Sequence, residues 1–506
     1  MSADHVRIRL EPLAVEVDVP CGALLVSSLS DHGIEFPCGG TGLCGGCGVR
    51  VLAGSLPATD ADRAAFPAEQ LAIGWRLACQ ARAPERVSEP LVLECGQWHM
   101  DVLSDNTGLA GAGKHGLGVA IDLGTTTIAA QIVDLASGSV LGVETELNPQ
   151  ASFGSDVMNR IRAALHGDDL TTVVRTALGQ IIARLARGRE QEVAEVVLVG
   201  NTVMHHLFSG RDVKPLSHAP FVSPHLGVQS FEPRGLGWAL PASCTIRFAH
   251  CLGGFVGSDI LAGIIATGIA HSDELMALVD LGTNGEIAIG NRNGIVCAST
   301  AAGPAFEAGS IRMGMRAATG AISYVSLAGS EMKATVIGDV EPRGICGSGL
   351  VDAVAAGLKS GAILASGRVA NGTKLFPVAE PVVLYQADIR ELQLAKAAIA
   401  SGFKLLLKRL GADASDLKSI HLAGAFGNYV QIESAIRIGL IDLGFIAAPR
   451  QLVHAAGNTA LRGAKMLLLA LEEPALPAIE HVSLAADPGF QDEFANCMSF
   501  PASNCV

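Results

Sequence analysis

Residues 36–51 read FPCGGTGLCGGCGVRV, and RLACQA follows at 76–81. Together they set Cys38, Cys44, Cys47 and Cys79 in the order C-x5-C-x2-C, a long gap, then C. A [2Fe–2S] cluster takes four thiolates, and one established spacing for it is C-x4-C-x2-C with a distant fourth cysteine. One extra residue stands in the first gap here. Three ligands from one tight loop demand a backbone that can wrap around sulfur. Gly39, Gly40, Gly42, Gly45, Gly46 and Gly48 supply that freedom. Their N–H groups are also placed to donate to cluster sulfurs, which tunes the potential. Zinc sites more often pair two C-x2-C units, and only one such unit occurs here. Cys21 and Cys95 fall outside the spacing and read as small buried hydrophobes.

Working outward, VRIRL (6–10) and AVEVDV (14–19) alternate as two hairpin strands. Ala23 to His32 carries Leu24, Leu25 and Leu29 at helical spacing, which predicts a helix. A strand after the cysteine loop and a closing strand at LVLEC (91–95) complete the order. Residues 1–98 hold no Lys, 7 Arg and 12 Asp plus Glu, so the unit is acidic. This stretch resembles a [2Fe–2S] ferredoxin domain of the β-grasp fold. Its five-residue first gap is similar to the adrenodoxin-like branch.

A chain of 506 residues has room for roughly three domains of about 150 residues each. Aromatics are only 4%, so the cores are built from Ala, Val, Leu and Ile. A formal charge of −13 argues against a nucleic-acid partner. Twelve cysteines in a long acidic chain do not suggest a secreted disulfide scaffold. The start, MSADHVRIRLEP, lacks the basic-then-apolar order of a signal peptide. Apolar runs such as ILAGIIATGIA (260–270) fall short of the ~20 residues that span a bilayer. The expectation is a cytoplasmic protein with no membrane partner.

Residues 99–117 are Gly-rich and aperiodic, as a linker would be. Beyond them the text repeats. VAIDLGTTTIAAQIVD (119–134) parallels ALVDLGTNGEIAIGN (277–291), and VVLVGNTVMHHL (196–207) loosely parallels SIHLAGAFGNYV (419–430). Two related α/β lobes, 118–250 and 251–506, with a cleft between them, are the expected architecture. A strand ending in D-L-G-T surrounds a turn with N–H groups and hydroxyls, which suits phosphate. An Asp at the strand end can hold Mg2+ directly or through water. Two such loops in duplicated lobes place one at each side of the cleft. VHAAGNTALRGA (453–464) is a further Gly-Asn turn leading into a helix.

This set resembles the acetate kinase/Hsp70/actin superfamily, with two phosphate motifs and an adenosine motif. The resemblance implies ATP with Mg2+. Asp122 and Asp280 are the catalytic candidates, for metal and water positioning. Phosphates would meet Gly124, Thr125, Thr126, Gly282, Thr283, Asn284 and Gly285; the nucleoside would meet Gly424, Ala425, Phe426 and Gly427. No catalytic base stands out. Glu307, in AGPAFEAGS (302–310), reads equally as a cleft residue or a turn stabiliser. Gly111, Gly113 and Gly116 spell G-x-G-x-x-G but precede a strand, so a Rossmann reading fails on context. His205–His206 reads as a packed or surface pair before a metal site. GICGSGL (344–350) is a helix start that suits phosphate or tight packing, and Cys346 reads as buried.

The order of ferredoxin, linker and duplicated ATPase lobes resembles, over the whole chain, the reductive activators of corrinoid-dependent enzymes. That resemblance implies one-electron reduction of a partner's Co(II) corrinoid to Co(I), driven by ATP. The partner would be a corrinoid protein or corrinoid-binding methyltransferase. It also implies an upstream electron donor and allows a homodimer. A cluster of this type sits near about −400 mV, and downhill transfer needs no ATP. Coupling to ATP therefore fits an acceptor harder to reduce than the cluster. The rival readings are a small-molecule kinase with a regulatory cluster and a plain electron carrier.

Overall fold

The computed structural model describes residues 5–11, 15–29, 42, 47–84, 90–94, 109, 111, 113–282, 284–329, 331–441 and 451–501. These fall into two compact units, residues 1–100 with 147–174, and residues 101–146 with 175–506.

The first unit is built on a five-stranded sheet. Its strands are β1 (His5–Glu11), β2 (Val15–Pro20), β3 (Gly48–Ala53), β4 (Trp75–Leu77) and β5 (Leu91–Glu94). Their order is β2-β1-β5-β3-β4, the mixed sheet expected of a β-grasp domain. Period-two alternation sends Val6, Ile8 and Leu10 inward, where they meet Val17, Val19, Val49, Leu77 and Leu93. Each such side chain fully buried stabilises by roughly 1.5–3 kcal/mol. Of the helix expected over 23–32, Val26–Leu29 is helical and residues 30–32 lie outside the described residues. Leu24 stays 39% exposed and forms an isolated bridge with Arg82 instead of joining the helix. Asp62 is buried, accepts from Thr59 N in a capping box, and also takes the Leu77 N–H at 2.6 Å. That carboxylate ties the helix Asp60–Ala65 to β4, two residues ahead of Cys79.

In the second unit, the first sheet uses β6 (Leu117–Leu123), β7 (Thr127–Asp134), β8 (Val140–Leu147), β9 (Val193–Gly200), β10 (Gln229–Phe231) and β11 (Thr245–Phe248). The second sheet uses β12 (Leu275–Leu281), β13 (Gly285–Asn291) and β14 (Gly294–Thr300). Between them and the rest of that sheet come two small sheets. One is β15 (Ala321–Ala328), β16 (Glu331–Val336) and β17 (Gly344–Ile345); the other is β18 (Leu375–Ala379) and β19 (Val382–Tyr385). The second sheet closes with β20 (Leu417–Ala423), β21 (Val453–Gly457) and β22 (Ile479–His481).

The two large sheets run β10-β11-β9-β6-β7-β8 and β21-β20-β12-β13-β14-β22. Matching β6 to β12 matches five strands of each sheet in order, leaving β10 and β22 without counterparts. An antiparallel hairpin partner lies on one side, β7 or β13. Two parallel strands lie on the other, β9 and β11, or β20 and β21. The duplication expected from the repeated text is present. Strands β6, β9 and β12 are buried on both faces, which is why they read as continuous apolar runs.

The helix Thr459–Leu469 leaves β21 of the second sheet and packs on β6 and β9 of the first, crossing the helix Ser258–Thr267. The crossing is close. A Cβ at Gly463 would lie 2.1 Å from the Ala262 carbonyl oxygen. The two sheets are thus joined through one helix pair, directly behind the D-L-G loops. Among the described residues, no helix is long and apolar enough to cross a membrane.

Candidate functional site

The first-unit site is described at two of its four cysteines. Cys38 and Cys44 lie outside the described residues. Cys47 and Cys79 are each 2% exposed. The Cys79 N–H donates to Cys47 Sγ at 3.5 Å, and Ala78 N donates to the Cys47 carbonyl at 3.0 Å. Gln80 Nε2 donates to Cys79 Sγ at 3.6 Å. Gly42 has φ +79° and a Cβ there would press to 3.0 Å from the Gln80 side chain. This is the chemistry a thiolate-held cluster wants, with paired sulfurs receiving N–H groups in an apolar wall. Cys21 is half-buried against the same core. Elsewhere, burial pushes the thiols of Cys251 and Cys297 up to about 12 and that of Cys244 up to about 11. Those are inert packing residues. Cys346 is buried too.

The second-unit site lies where β6 and β12 end. Gly124 N donates to Thr127 O at 3.0 Å, and Gly282 N to Asn284 O at 3.0 Å, so each loop closes on itself. Thr283 lies outside the described residues. In the first loop, Thr125 Oγ1 accepts from Asn201 Nδ2 at 2.8 Å. Asn201 caps the helix Thr202–Ser209 by accepting Met204 N through its Oδ1 at 3.0 Å. With the oxygen committed to the cap, the nitrogen faces the loop. Asn458 repeats the device. Its Oδ1 caps the helix Thr459–Leu469 at Leu461 N, 2.8 Å, and its Nδ2 donates to Asp122 Oδ2 at 3.0 Å. The Gly-Asn turn singled out in the sequence therefore reaches from the second lobe to the aspartate of the first.

Asp280 pairs with Ala423 at the end of β20, beside the nucleoside candidates. Gly424 has φ +81°, and a Cβ there would lie 2.5 Å from Asp280 Oδ1. The close approach and the left-handed backbone both require glycine at this turn. Gly427 and Ala425 stand in the same short helix, Gly424–Tyr429. Phe426 is buried, with its ring centroid 4.8 Å from that of Phe306. Gly285 opens β13, and its carbonyl accepts from Thr300 Oγ1 at 2.9 Å. The structure thus brings the sequence candidates into one region, with Asp122 and Asp280 close enough for Asp280 to raise the pKa of Asp122.

Two acids were missed by the sequence reading. Asp259 opens the helix Ser258–Thr267, and Glu286 lies on β13 directly opposite Asp280. Their signal was a lone acid in an otherwise apolar segment. Lost hydration pushes Asp122 up to about 7 and Asp280 up to about 6. It raises Asp259 and Glu286 as well, and Asp280 raises both further. Four carboxyls crowded in this way favour a cation. Among the described residues, no three His, Cys, Asp or Glu side chains converge closely enough to hold a metal ion by themselves.

His205 and His206 are fully buried and packed. His206 Nε2 meets Ser223 Oγ at 2.6 Å, and His205 stacks edge-on to Phe248 at 4.9 Å. Burial lowers the His205 pKa to about 4, so the ring is neutral. Of the packed and surface alternatives, the pair takes the packed one.

Comparison with known proteins covers nearly the whole chain. The 2Fe-2S iron-sulfur cluster binding domain matches residues 8–84. The RACo middle region matches 117–272, and the C-terminal domain of RACo, the ASKHA domain, matches 274–506. The corrinoid activation enzyme RamQ of Eubacterium limosum is 35% identical over 74% of this chain and 69% of its own length. The [Co(II) methylated amine-specific corrinoid protein] reductase of Methanosarcina barkeri is 27% identical over 70% of each chain. Among solved structures, a reductive activator for corrinoid, iron-sulfur protein aligns with TM-score 0.65 at 26% identity. It covers 98% of this chain and 99% of its own. With a cluster domain ahead of duplicated sheets and these matches along its length, the chain belongs to the RACo family.

Proposed function

We propose that this protein is an ATP-dependent reductive activator of a corrinoid protein or corrinoid-binding methyltransferase. The [2Fe–2S] cluster, held by Cys38, Cys44, Cys47 and Cys79, supplies one-electron chemistry. The chain's own part is to seat that cluster in an apolar wall and to gate transfer by binding Mg-ATP. The acceptor is a Co(II) corrinoid, which becomes Co(I).

The observation that carries this reading is the pairing, in one chain, of the Cys47–Cys79 sulfur pair with two D-L-G loops whose aspartates share one acidic region. The names of the two relatives supply the acceptor class. In this reading Gly124, Thr125, Thr126, Gly282, Thr283, Asn284 and Gly285 contact the phosphates. Gly424, Ala425, Phe426 and Gly427 back the nucleoside. Asp122 and Asp280 orient the metal's waters. Asn201 and Asn458 hold the first loop in shape from two helix starts. An upstream donor reloads the cluster.

The test is anaerobic mixing of the reduced protein, a Co(II) corrinoid protein and Mg-ATP, followed at the Co(I) absorbance. Absence of Co(I) with corrinoid protein in excess, with and without nucleotide, sinks the reading. Phosphoryl transfer to a metabolite in its place would favour a kinase.

A further inference from the structure

The 3-10 helix Pro304–Glu307 joins parts of the second unit that are far apart in sequence. Its Phe306 ring packs on Phe426 of the nucleoside turn, centroids 4.8 Å apart. Its Glu307 Oε1 accepts from Thr126 Oγ1 of the first D-L-G loop at 3.3 Å. The Phe306 carbonyl oxygen lies where a Cβ at Gly347 would stand, 1.7 Å away, so the segment is wedged against the start of the helix Gly347–Ser360. The segment is entered through Gly303 at φ +74° and left through Ala308 at φ +57°. A non-glycine residue in the left-handed region is uncommon, and such strain gathers where function fixes a side chain. The strain here falls on the residue next to Glu307.

The candidate carboxyls differ in what surrounds them. Asp122, Asp259, Asp280 and Glu286 crowd together, and desolvation raises all four. Glu307 stands apart from that group, half-exposed, beside a hydroxyl of the phosphate loop. A general base must lie within hydrogen-bond reach of the proton it takes, directly or through one water. A water held between Glu307 and a phosphate resting on the Thr126 loop meets that condition.

We propose that Glu307 is the catalytic base for ATP hydrolysis, and that it acts on a water at the Thr126 loop. The proposal rests on the nucleotide reading above. In the step, the water oxygen bonds to the γ-phosphorus and Glu307 takes the water proton. The bond from the γ-phosphorus to the β,γ-bridging oxygen breaks, and its electron pair leaves with ADP. Glu307 then returns the proton to solvent. Thr126 shifts its hydroxyl from Glu307 to phosphate as nucleotide arrives. Hydrolysis is thereby linked to contact between the first loop and the 3-10 helix that carries Glu307.

The test uses the full chain and two readouts, ATP affinity by calorimetry and phosphate release. Glu307→Gln keeps an acceptor oxygen for Thr126 but cannot take a proton. Its affinity is expected to match wild type, while turnover falls about 10²–10⁴-fold, the usual worth of a general base. Glu307→Asp retains a carboxylate drawn back by one methylene, and intermediate turnover at full affinity is expected. Wild-type turnover in E307Q overturns the proposal and leaves the nucleotide reading intact. So does a wild-type protein that binds ATP and never hydrolyses it. Loss of affinity in step with turnover in both variants makes Glu307 structural, which also overturns it. No ATP binding by wild type removes the nucleotide reading and this proposal together.

Discussion

The two D-L-G loops share sequence and sheet position, yet they treat their aspartates in opposite ways. Asp122 pairs across the hairpin with Ala129 and receives a hydrogen bond from Asn458. Asp280 pairs across the hairpin with Glu286, and among the described residues no side chain donates to it. The hairpins also differ in length. Leu123 pairs with Ile128, whereas Leu281 pairs with Gly285, so the second loop is one residue tighter. Like charges directly opposite on a sheet repel. The first aspartate is therefore held by a side chain from a helix start, and the second faces another carboxyl.

The sharpest way to break this comparison is to neutralise each aspartate. Asp280→Asn is expected to lower Mg-ATP turnover by about 10²–10³-fold, the scale for removing one preorganised electrostatic group. Asp122→Asn keeps an oxygen for Asn458 and is expected to lose less. Equal losses in phosphate-release assays would show the loops to be equivalent after all.

Glycine substitution reads the same asymmetry in the backbone. Gly424→Ala sets a methyl 2.5 Å from Asp280 Oδ1 at φ +81°. It is expected to cost about 1–3 kcal/mol of stability and to weaken ATP binding. At Gly282 the nearest atom to an added Cβ is Asn284 O at 3.8 Å, so Gly282→Ala should leave the thermal midpoint of the nucleotide-free protein unchanged. Matching midpoints for the two variants would contradict the close packing behind Asp280.

Proton linkage supplies a third handle. Folded-state pKa values raised to about 7 for Asp122 and about 6 for Asp280 mean that the folded protein binds more protons than the unfolded chain. Their contribution is fully present below the unfolded carboxyl pKa. It is lost as pH rises through the folded values. Without divalent ions, the melting temperature should fall between about pH 4 and about pH 7. Added Mg-ATP should stabilise more at the upper end, where the carboxyls are ionised. A melting temperature flat with pH would show the acids to be better solvated than they stand here.

The smallest expected effect is at the brace. Asn458→Ala removes the cap of the helix Thr459–Leu469 together with the bond to Asp122, and about 1 kcal/mol is the usual loss for a cap. Chemical denaturation measures it. The matching change at Asn201 should behave alike, since that residue caps a helix and holds Thr125 in the same way.

Much of this architecture is legible in the residues alone, because its signals are local. A cysteine spacing, a strand that ends in D-L-G-T, and a Gly-Asn helix start each lie within one short segment. The α/β class, the ferredoxin unit and the duplication all follow from such segments. What escapes is set by strand order. Glu286 matters because β13 carries it opposite Asp280, and Asp259 because helices Ser258–Thr267 and Thr459–Leu469 cross behind both loops. Neither relation has a local signal. Glu307 could be read as a turn residue or a cleft residue, and only its reach to Thr126 separates the two. Leu24 is the reverse case, where leucine spacing suggested a helical residue and the chain instead bridges to Arg82 ahead of the helix.

The central claim, that the lobes gate the cluster's electron, is tested most directly by comparing wild type and Asp280→Asn in one anaerobic reaction. Each reduced protein is mixed with a Co(II) corrinoid protein, and Co(I) absorbance is followed with Mg-ATP, with ADP and without nucleotide. The account predicts Co(I) with wild type and Mg-ATP, and little in every other arm. Co(I) formed equally fast without nucleotide, or by Asp280→Asn, would contradict it.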